Sequence, residues 1–184
     1  HGPVIFSQRR LTKGGKQFTL YKFRSMIADA EALTGPVWCL GESDPRITKI
    51  GKFLRATRLD ELPQLFNVLK GDMLIVGPRP ERPEFAAKLS KNILNFHDRL
   101  QVKAGITGLA QVRVGYAGCL ASYRKKFAHD LEYVAQRSFW FDTKILFQTV
   151  FVVFGRSERS TVSGPEAEIA QLSQPAELAG ATIH

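Results

Sequence analysis

The sequence predicts an α+β fold: a single helix-dominated domain with a small β-hairpin at its N-terminus. Stretches with helical periodicity outnumber stretches that alternate like strands, and the only clear strand pairing lies near the N-terminus. The chain of 184 residues fits one domain, and 44% of its residues are apolar, which is enough for a hydrophobic core. We place this domain at residues 1–156 and expect the Ser-, Ala-, Glu- and Pro-rich stretch at 157–184 to be a flexible tail.

Two short strands open the chain. Val4–Gln8 and Gln17–Phe23 are apolar and aromatic runs, joined through a segment that contains Gly14 and Gly15, which is a good hairpin signal. Strand alternation places Lys22 and Arg24 on one face of the second strand. Such a pair on a strand is most often a solvated face, so these two residues alone indicate no site.

Two helices are predicted next, at residues 27–33 and from Lys49 to Thr57. Thr48 can cap the second helix, which delivers the chain to the acids described below. Helical periodicity predicts that its apolar side chains face inward; they are Ile50, Phe53 and Leu54.

Asp60 and Glu61 stand just ahead of another short predicted helix, which ends near Gly71. Pro63 belongs in a first helical turn and pushes the residue before it toward an extended conformation, so the two acids are expected in an irregular turn. The apolar positions of the helix fall on one face; they are Leu62, Leu65, Phe66 and Leu69.

The charges around the two acids allow two interpretations. Arg55 and Arg58 come just before them and a helix N-terminus follows, so the local field is expected to keep Asp60 ionised and to attract phosphate. That setting suits a carboxylate nucleophile. Acids in a first helical turn are also ordinary partners of the helix dipole, and nearby arginines are often surface ion pairs, so a structural role stays open at this point.

A second candidate phosphate site follows a short strand predicted at Met73–Val76. Pro78 and Pro80 stiffen the backbone on both sides of Arg79 and hold it nearly extended. A stiff arginine suits bidentate phosphate recognition, although a rigid surface turn with a solvated arginine has the same pattern. Farther on, residues 105–108 predict a glycine turn that lets backbone approach a ligand closely.

The C-terminal half predicts three helices. The first covers residues 84–94, and the second, Ala121–Arg137, is amphipathic and basic. Phe139–Phe154 is the most apolar stretch, but it is short for a membrane span and carries Asp142. We therefore expect a buried core helix or one lying in a membrane interface. An acid in such a helix is costly unless it is paired, so Asp142 is either satisfied by a partner or functional.

The composition limits the partners. The formal net charge is +9, which favours anionic partners: nucleic acid, phosphorylated small molecules or an acidic membrane surface. The two cysteines are far apart and outside any metal-ligand spacing, which favours a reduced cytoplasmic setting. The sequence has no initiator Met, no signal peptide and no apolar run long enough to span a bilayer, so we expect that it begins inside a longer protein.

Several motifs occur in order along residues 2–155 and together resemble the bacterial sugar transferase family. They are Lys22-Phe23-Arg24-Ser25-Met26, Ile50-Gly51-Lys52-Phe53-Leu54-Arg55, the Asp60-Glu61 stretch, Val76-Gly77-Pro78-Arg79-Pro80-Glu81 and the run from Val102 to Val112. The family consists of polyprenyl-phosphate phosphoglycosyl transferases with one membrane-associated catalytic domain. Where smaller members have an Asn-Gly-Arg segment, residues 113–117 look like the subgroup that initiates exopolysaccharide and O-antigen synthesis.

The resemblance implies a reaction and a role for each candidate residue. Asp60 would attack the sugar-bearing phosphorus of a UDP-sugar, release UMP and form a covalent aspartyl phosphosugar, from which polyprenyl phosphate takes the phosphosugar. Glu61 would ligate Mg²⁺, with Asp142 as a second candidate at the metal. The cations expected to bind the phosphates are Lys22, Arg24, Arg55, Arg58 and Arg79.

The resemblance also implies a place of action, the cytoplasmic face of the bacterial inner membrane, with anionic lipid as a partner. Family members usually carry a hydrophobic segment just before the position of Gly2, so we expect that this sequence has been separated from its membrane anchor. The competing hypothesis is a basic module that binds nucleic acid or lipid; the sequence shows no nucleic-acid motif, and we expect no nucleic-acid partner. The sequence leaves homo-oligomer formation and the identity of the UDP-hexose open.

Overall fold

The computed structural model describes residues 2–32, 35–39, 43–114 and 120–154, and the predicted tail at 157–184 lies outside them. It confirms the α+β class and the N-terminal hairpin. In chain order the elements are β1 (Ile5–Leu11), β2 (Gln17–Phe23), α1 (Lys49–Ala56), α2 (Gln64–Leu69), β3 (Leu74–Val76), α3 (Pro83–Asn92), β4 (Gly105–Thr107), α4 (Leu109–Val114), α5 (Leu120–Gln136) and α6 (Phe139–Phe154). Short 3-10 turns lie at Lys13–Gly15 and Leu59–Glu61, and a longer 3-10 segment, named the Phe96–Gln101 turn below, follows α3.

The hairpin pairs β1 with β2 in antiparallel register, with Ile5 opposite Phe23 and Leu11 opposite Gln17. Gly14 and Gly15 turn the chain at φ of 68° and 73°, a region that favours glycine. The predicted hairpin is therefore confirmed, and its first strand continues to Leu11 instead of ending at Gln8.

A second, parallel pair of strands was not predicted. Leu74 pairs with Gly105 and Val76 with Thr107, so the turn predicted at 105–108 is wrong for its first three residues. A Cβ atom at Gly105 would clash with the backbone nitrogen of Gly77. The glycine is therefore needed where two strands approach each other, and local turn signals do not reveal a partner so distant in sequence.

Three buried apolar clusters hold the elements together. One joins β1 to α3 and the Phe96–Gln101 turn, one joins β3 to α4, α5 and α6, and one fixes β2 over Met73 and Ala104. Each cluster links segments that are far apart in sequence, so the hairpin and the helical body form one packed unit.

Helices α1 and α2 turn their apolar faces outward, contrary to the inward packing predicted for α1. In α1, Ile50 is 73% and Phe53 61% exposed, and the same holds for the apolar face of α2. The buried side chains of α2 are polar. Asn67 is fully buried; its amide nitrogen donates to the Thr19 carbonyl (2.8 Å) and its amide oxygen accepts from the Tyr21 backbone N–H (3.1 Å).

The position of Asn67 explains this orientation. The Thr19 carbonyl and the Tyr21 N–H belong to a half-buried part of β2, where backbone groups require partners. Asn67 supplies them, so the polar side of α2 faces inward and its leucines face outward.

The helix predicted at residues 27–33 is wrong. Residues 28–32 form turns, and residue 33 lies outside the described part of the chain. Asp29 has a φ of 56°, which ends any right-handed helix there, and Met26 pairs instead with Ile47 in an isolated β-bridge. The long-range bridge outweighs the helix propensity of the alanines.

The C-terminal helix α6 is apolar on both its buried and its exposed side. Ile145 is fully buried, whereas Phe139, Trp140 and Phe151 are 75%, 77% and 74% exposed. A wholly internal core helix is therefore wrong. Within the described residues, no helix combines the length and apolarity needed to cross a bilayer.

Candidate functional site

Asp60 and Glu61 lie in the single 3-10 turn Leu59–Glu61, which connects α1 to α2. Arg58 precedes the turn in the left-handed region, with φ of 59°, so the chain reverses sharply before the two acids. The two acids lie in a turn ahead of α2, as predicted, but Leu62 before Pro63 is helical, with φ of −53° and ψ of −39°, and not extended, because its N–H closes the 3-10 turn with the Leu59 carbonyl. The reversal directs both acids toward the hairpin and away from the exposed faces of the helices.

Glu61 pairs with two cations that come from different parts of the chain. Its Oε1 atom lies 3.0 Å from Lys22 Nζ on β2 and 3.0 Å from Arg79 Nη2 in the Pro78–Pro80 segment. Burial alone would raise the pKa of Glu61, but these two cations outweigh it and hold the pKa well below its usual range. Glu61 is therefore ionised, and it fixes Lys22 and Arg79 side by side.

Asp60 is buried, with 7% of its surface exposed. Burial raises its pKa and the Glu61 carboxylate adds to this, against the opposing charges of Lys22, Arg55 and Arg79. The cations favour the ionised form of Asp60, as expected from the sequence, but desolvation is the larger effect, so the net shift of its pKa is upward. A carboxylate with a raised pKa is more basic and less solvated, which favours nucleophilic attack.

No donor among the described residues reaches the Asp60 carboxylate. Its neighbour Glu61 is held by two ion pairs, whereas Asp60 has none. The structure thus gives the two adjacent acids different environments. Glu61 organises the cations, and Asp60 keeps its oxygens free for an incoming group.

Two more predicted cations, Arg55 and Arg58, act on these acids through their charge: Arg55 opposes the raised pKa of Asp60, and Arg58 contributes to the lowered pKa of Glu61. Arg55 also donates from Nε to Ser25 Oγ (2.8 Å) and from Nη1 to Cys39 Sγ (3.1 Å). The structure therefore gathers Lys22, Arg55, Arg58 and Arg79 around the acids.

Arg24 and Asp142 have other contacts. Arg24 donates from Nε to the Pro3 carbonyl (2.8 Å), and its guanidinium lies over the Phe6 ring. The Asp142 carboxylate lies 2.9 Å from the Tyr133 hydroxyl, which is also 3.1 Å from the Val76 carbonyl. Asp142 is thus satisfied by a tyrosine, and its assignment to the metal stays a prediction, as does the phosphate-binding role of Arg24.

The segment that carries Arg79 is held by donors from several elements. The Pro78 carbonyl accepts from Gly105 N–H at 2.9 Å, the Arg79 carbonyl accepts from Arg99 Nη2 at 2.8 Å, and the Pro80 carbonyl accepts from Arg10 Nη1 at 3.2 Å. Three consecutive carbonyls are thus bonded to three different parts of the fold. The stiffness predicted from the two prolines is reinforced by tertiary contacts.

The carboxylates fit a magnesium ion that is completed by substrate. Within the described residues there is no group of three or more His, Cys, Asp or Glu side chains that could hold a metal. Mg²⁺ often takes only one or two carboxylates and fills its remaining positions with phosphate oxygens and water. Glu61 Oε2, which has no partner among the described residues, and the neighbouring Asp60 carboxylate provide such oxygens.

The buried pair formed by Arg99 and Asp130, which lies behind Arg79, was not predicted from the sequence. Arg99 Nη2 is 2.7 Å from Asp130 Oδ2, and the side chains of Arg99 and Asp130 are 5% and 4% exposed. One signal was present: Asp130 and Tyr133 are three residues apart on α5, so both point to the same side of the helix. The contact of Asp130 with Arg99, and of Arg99 with the Arg79 carbonyl, is visible only in the tertiary structure.

The family description "Bacterial sugar transferase" matches residues 1–156, which is most of the chain and includes every predicted site residue. The chain belongs to the bacterial sugar transferase family. This membership was predicted from the motifs around Lys22, Asp60 and Arg79. The structure places all three residues close to Glu61.

Curated relatives support the same family. A UDP-N-acetylgalactosamine-undecaprenyl-phosphate N-acetylgalactosaminephosphotransferase of Aeromonas hydrophila is 44% identical over 149 residues, which cover 81% of this chain and 35% of that protein. UDP-glucose:undecaprenyl-phosphate glucose-1-phosphate transferases of Escherichia coli K12 and Caulobacter vibrioides are 45% and 41% identical, over 83% and 81% of this chain. The matches cover 33% and 56% of those two proteins, so this family member spans only part of their length.

Proposed function

We propose that this chain carries the active site for transfer of a sugar-1-phosphate from a UDP-sugar to polyprenyl phosphate. The observation that supports this most directly is the buried Asp60, which has free oxygens beside the Lys22–Glu61–Arg79 ion cluster. Undecaprenyl phosphate occurs in the names of the relatives, together with UDP-glucose or UDP-N-acetylgalactosamine. Initiation of a surface polysaccharide is the proposed role.

The proposed chemistry has two steps at one phosphorus atom. An Asp60 oxygen attacks the sugar-bearing phosphorus, and the bond from that phosphorus to the bridging oxygen of UMP breaks, so UMP leaves with the electron pair. An oxygen of polyprenyl phosphate then attacks the same phosphorus and releases the Asp60 carboxylate. The products are polyprenyl-diphospho-sugar and UMP, and the enzyme is regenerated.

The cations are needed because a diphosphate repels an anionic nucleophile. Lys22 and Arg79 are held close together by Glu61, and Arg55 and Arg58 add positive charge, so the donor phosphates would meet an electropositive wall. Mg²⁺ held by Glu61 would neutralise phosphate oxygens when bound, and Asp142 remains a second candidate for the metal.

Turnover with a panel of UDP-hexoses tests this function. The panel includes UDP-glucose and UDP-N-acetylgalactosamine, and the assay contains Mg²⁺ and polyprenyl phosphate in detergent. We expect one donor to release UMP in step with formation of a lipid-linked sugar. The competing function, a basic nucleic-acid module, predicts no UMP from any donor and a steeply salt-dependent affinity for mixed DNA or RNA. That pair of results would reject the transferase.

We also propose that the domain acts at a membrane surface, on the cytoplasmic face of the bacterial inner membrane. The apolar faces of α1 and α2 are exposed, and the face of α2 borders an open groove of about 530 Å³ lined by residues that include Phe23, Leu62 and Phe66. Exposed apolar surface of this extent marks an interaction site. Because the proposed acceptor is a lipid, such a surface would bind the membrane that contains the acceptor.

Flotation with liposomes tests this surface. We expect the protein to float with anionic liposomes at low salt, because each engaged Lys or Arg contributes about 1 kcal/mol near such a surface. Part of the binding should persist at high salt, because the contribution from burying aromatic rings in the bilayer does not depend on ionic strength. Phe53→Glu with Phe66→Glu should weaken the persistent part, and any remainder comes from the exposed aromatic side chains of α6. Lys13→Glu, on the exposed hairpin turn, should leave it unchanged.

The flotation result has two contradicting outcomes. Absence of flotation at low salt would mean that these faces do not bind lipid. Binding that disappears completely at high salt would mean that only the positive charges contribute and that the apolar faces contact something else.

A further inference from the structure

A buried ion pair lies directly behind Arg79. Asp130 on α5 and Arg99 in the Phe96–Gln101 turn meet at 2.7 Å, and the two side chains are 4% and 5% exposed. Glu81 Oε1 lies 3.8 Å from Arg99 Nη1 and completes the surroundings of this arginine. A pair that is buried this completely differs from solvated surface ion pairs, which contribute little to stability.

The same nitrogen of Arg99 serves both Asp130 and Arg79. Nη2 lies 2.7 Å from Asp130 Oδ2 in the ion pair and donates a hydrogen bond to the Arg79 backbone carbonyl at 2.8 Å. The Arg79 side chain extends the other way and reaches Glu61 at 3.0 Å. A continuous series of contacts therefore runs from α5 through Arg99 to the ion cluster beside Asp60.

The surroundings explain why Arg99 needs an anion. Arg10, Arg79 and Lys126 are also close: burial followed by the charge of Arg79 lowers the pKa of Lys126 to about 8. Burial lowers the pKa of Arg10 to about 10, and the positive charges of Arg79 and Arg82 act in the same direction. A further buried cation is unfavourable in this place without a counter-charge, and Asp130 supplies it.

We propose that Asp130 is a positioning residue for phosphate binding. By neutralising and orienting Arg99, it fixes the Arg79 backbone so that the guanidinium faces the donor diphosphate beside Asp60. The inference rests on the proposed function, in which Arg79 binds that diphosphate. Asp130 itself touches neither substrate nor Glu61 in this arrangement.

Asp130→Asn tests the inference, because it keeps the shape of the side chain and removes its charge. Two matched variants control for the loss of an acid. Glu132→Gln removes an exposed partner of Arg113 on the same helix, and Glu31→Gln removes the partner of Arg82, a second buried arginine. We expect Asp130→Asn to lower kcat/KM for the UDP-sugar about 10-fold or more, mainly through KM, and the controls to stay within about twofold.

A double-mutant cycle separates positioning from a general structural effect. If Asp130 acts through Arg79, then adding Asp130→Asn to Arg79→Ala should change KM by less than about twofold. An equal loss with and without Arg79 would overturn the proposal. If Asp130→Asn does not fold, Arg99→Lys replaces it: a lysine keeps the charge but lacks the guanidinium fork that reaches both partners, so the same rise in KM is expected and a normal KM overturns the proposal.

A spectroscopic measurement makes this test independent of turnover. The Nε–H signal of Arg79 in ¹⁵N-labelled protein, assigned by its loss in Arg79→Lys, should shift or broaden in Asp130→Asn and stay in place in both controls. If wild-type protein releases no UMP from any UDP-sugar, the proposed function fails while this signal still reports on positioning. An unchanged Arg79 signal in Asp130→Asn overturns the inference.

Discussion

Asp60→Asn is expected to lower the rate of UMP release by at least about 1,000-fold, because a carboxamide of the same shape cannot attack phosphorus. The rate of UMP release, followed with the preferred UDP-sugar, measures this directly. Asp98→Asn provides the matched control, since Asp98 is exposed in the Phe96–Gln101 turn, and its rate should equal that of the wild type.

The same variant should lose no stability. Burial raises the pKa of Asp60 in the folded protein, so ionised Asp60 weakens the fold at every pH above the ordinary value of this group. Removing that charge should leave the free energy of unfolding at pH 7 unchanged or higher. An inactive but stable variant indicates a functional acid. More than a tenth of wild-type activity in Asp60→Asn would contradict the role of Asp60.

Glu61→Gln is expected to have the largest effect on stability. It leaves Lys22 and Arg79 without their shared anion, and breaking these half-buried pairs costs about 2 kcal/mol, between the values for exposed and for fully buried pairs. The variant should also need more Mg²⁺ for activity, if Glu61 binds the metal. Urea unfolding at pH 7 measures the first effect, and a Mg²⁺ titration of UMP release measures the second.

The pH dependence of this stability difference has a definite sign. Because the pKa of folded Glu61 is lowered, its stabilising contribution is fully present above the ordinary glutamate pKa, about 4.3, and is lost as the pH falls toward the folded value. The gap between wild type and Glu61→Gln should therefore narrow below about pH 4. Asp98→Asn, which removes an exposed carboxylate without an ion-pair partner among the described residues, should show no such gap. A gap that is independent of pH would contradict the ion cluster.

The sequence predicted those parts of the fold that depend on neighbouring residues. The hairpin follows from Gly14 and Gly15, and the cap of α1 is confirmed by the bond from Gly51 N–H to Thr48 Oγ1 at 2.9 Å. In each case the deciding contact lies within a few residues, so the local pattern contains the information.

The orientation of α2 could not be predicted from periodicity. A face with Leu62, Leu65, Phe66 and Leu69 indicates that a helix is amphipathic, but not which side meets the protein. The buried side is chosen by Asn67, whose amide satisfies backbone groups of β2 that are far away in sequence. An apolar face directed to solvent is also what a membrane-associated protein permits, and a rule derived from soluble proteins assigns it to the core.

The candidate site shows the same division. The motifs identified Asp60, Glu61, Lys22 and Arg79 as important, and the structure brings them together around Glu61. The raised pKa of Asp60 was missed because charges can be read from a sequence, whereas the desolvation that opposes them depends on packing. The Arg99–Asp130 pair was missed for a related reason, since its partners meet only when α5 packs against the Phe96–Gln101 turn.

Peptide mass spectrometry after incubation with the preferred UDP-sugar and Mg²⁺, without lipid acceptor, tests the central claim most directly. We expect a phosphosugar adduct on the peptide that contains Asp60, formed together with UMP and lost when polyprenyl phosphate is added. An adduct on any other residue, or rapid lipid-dependent turnover with no adduct at any time, would contradict it.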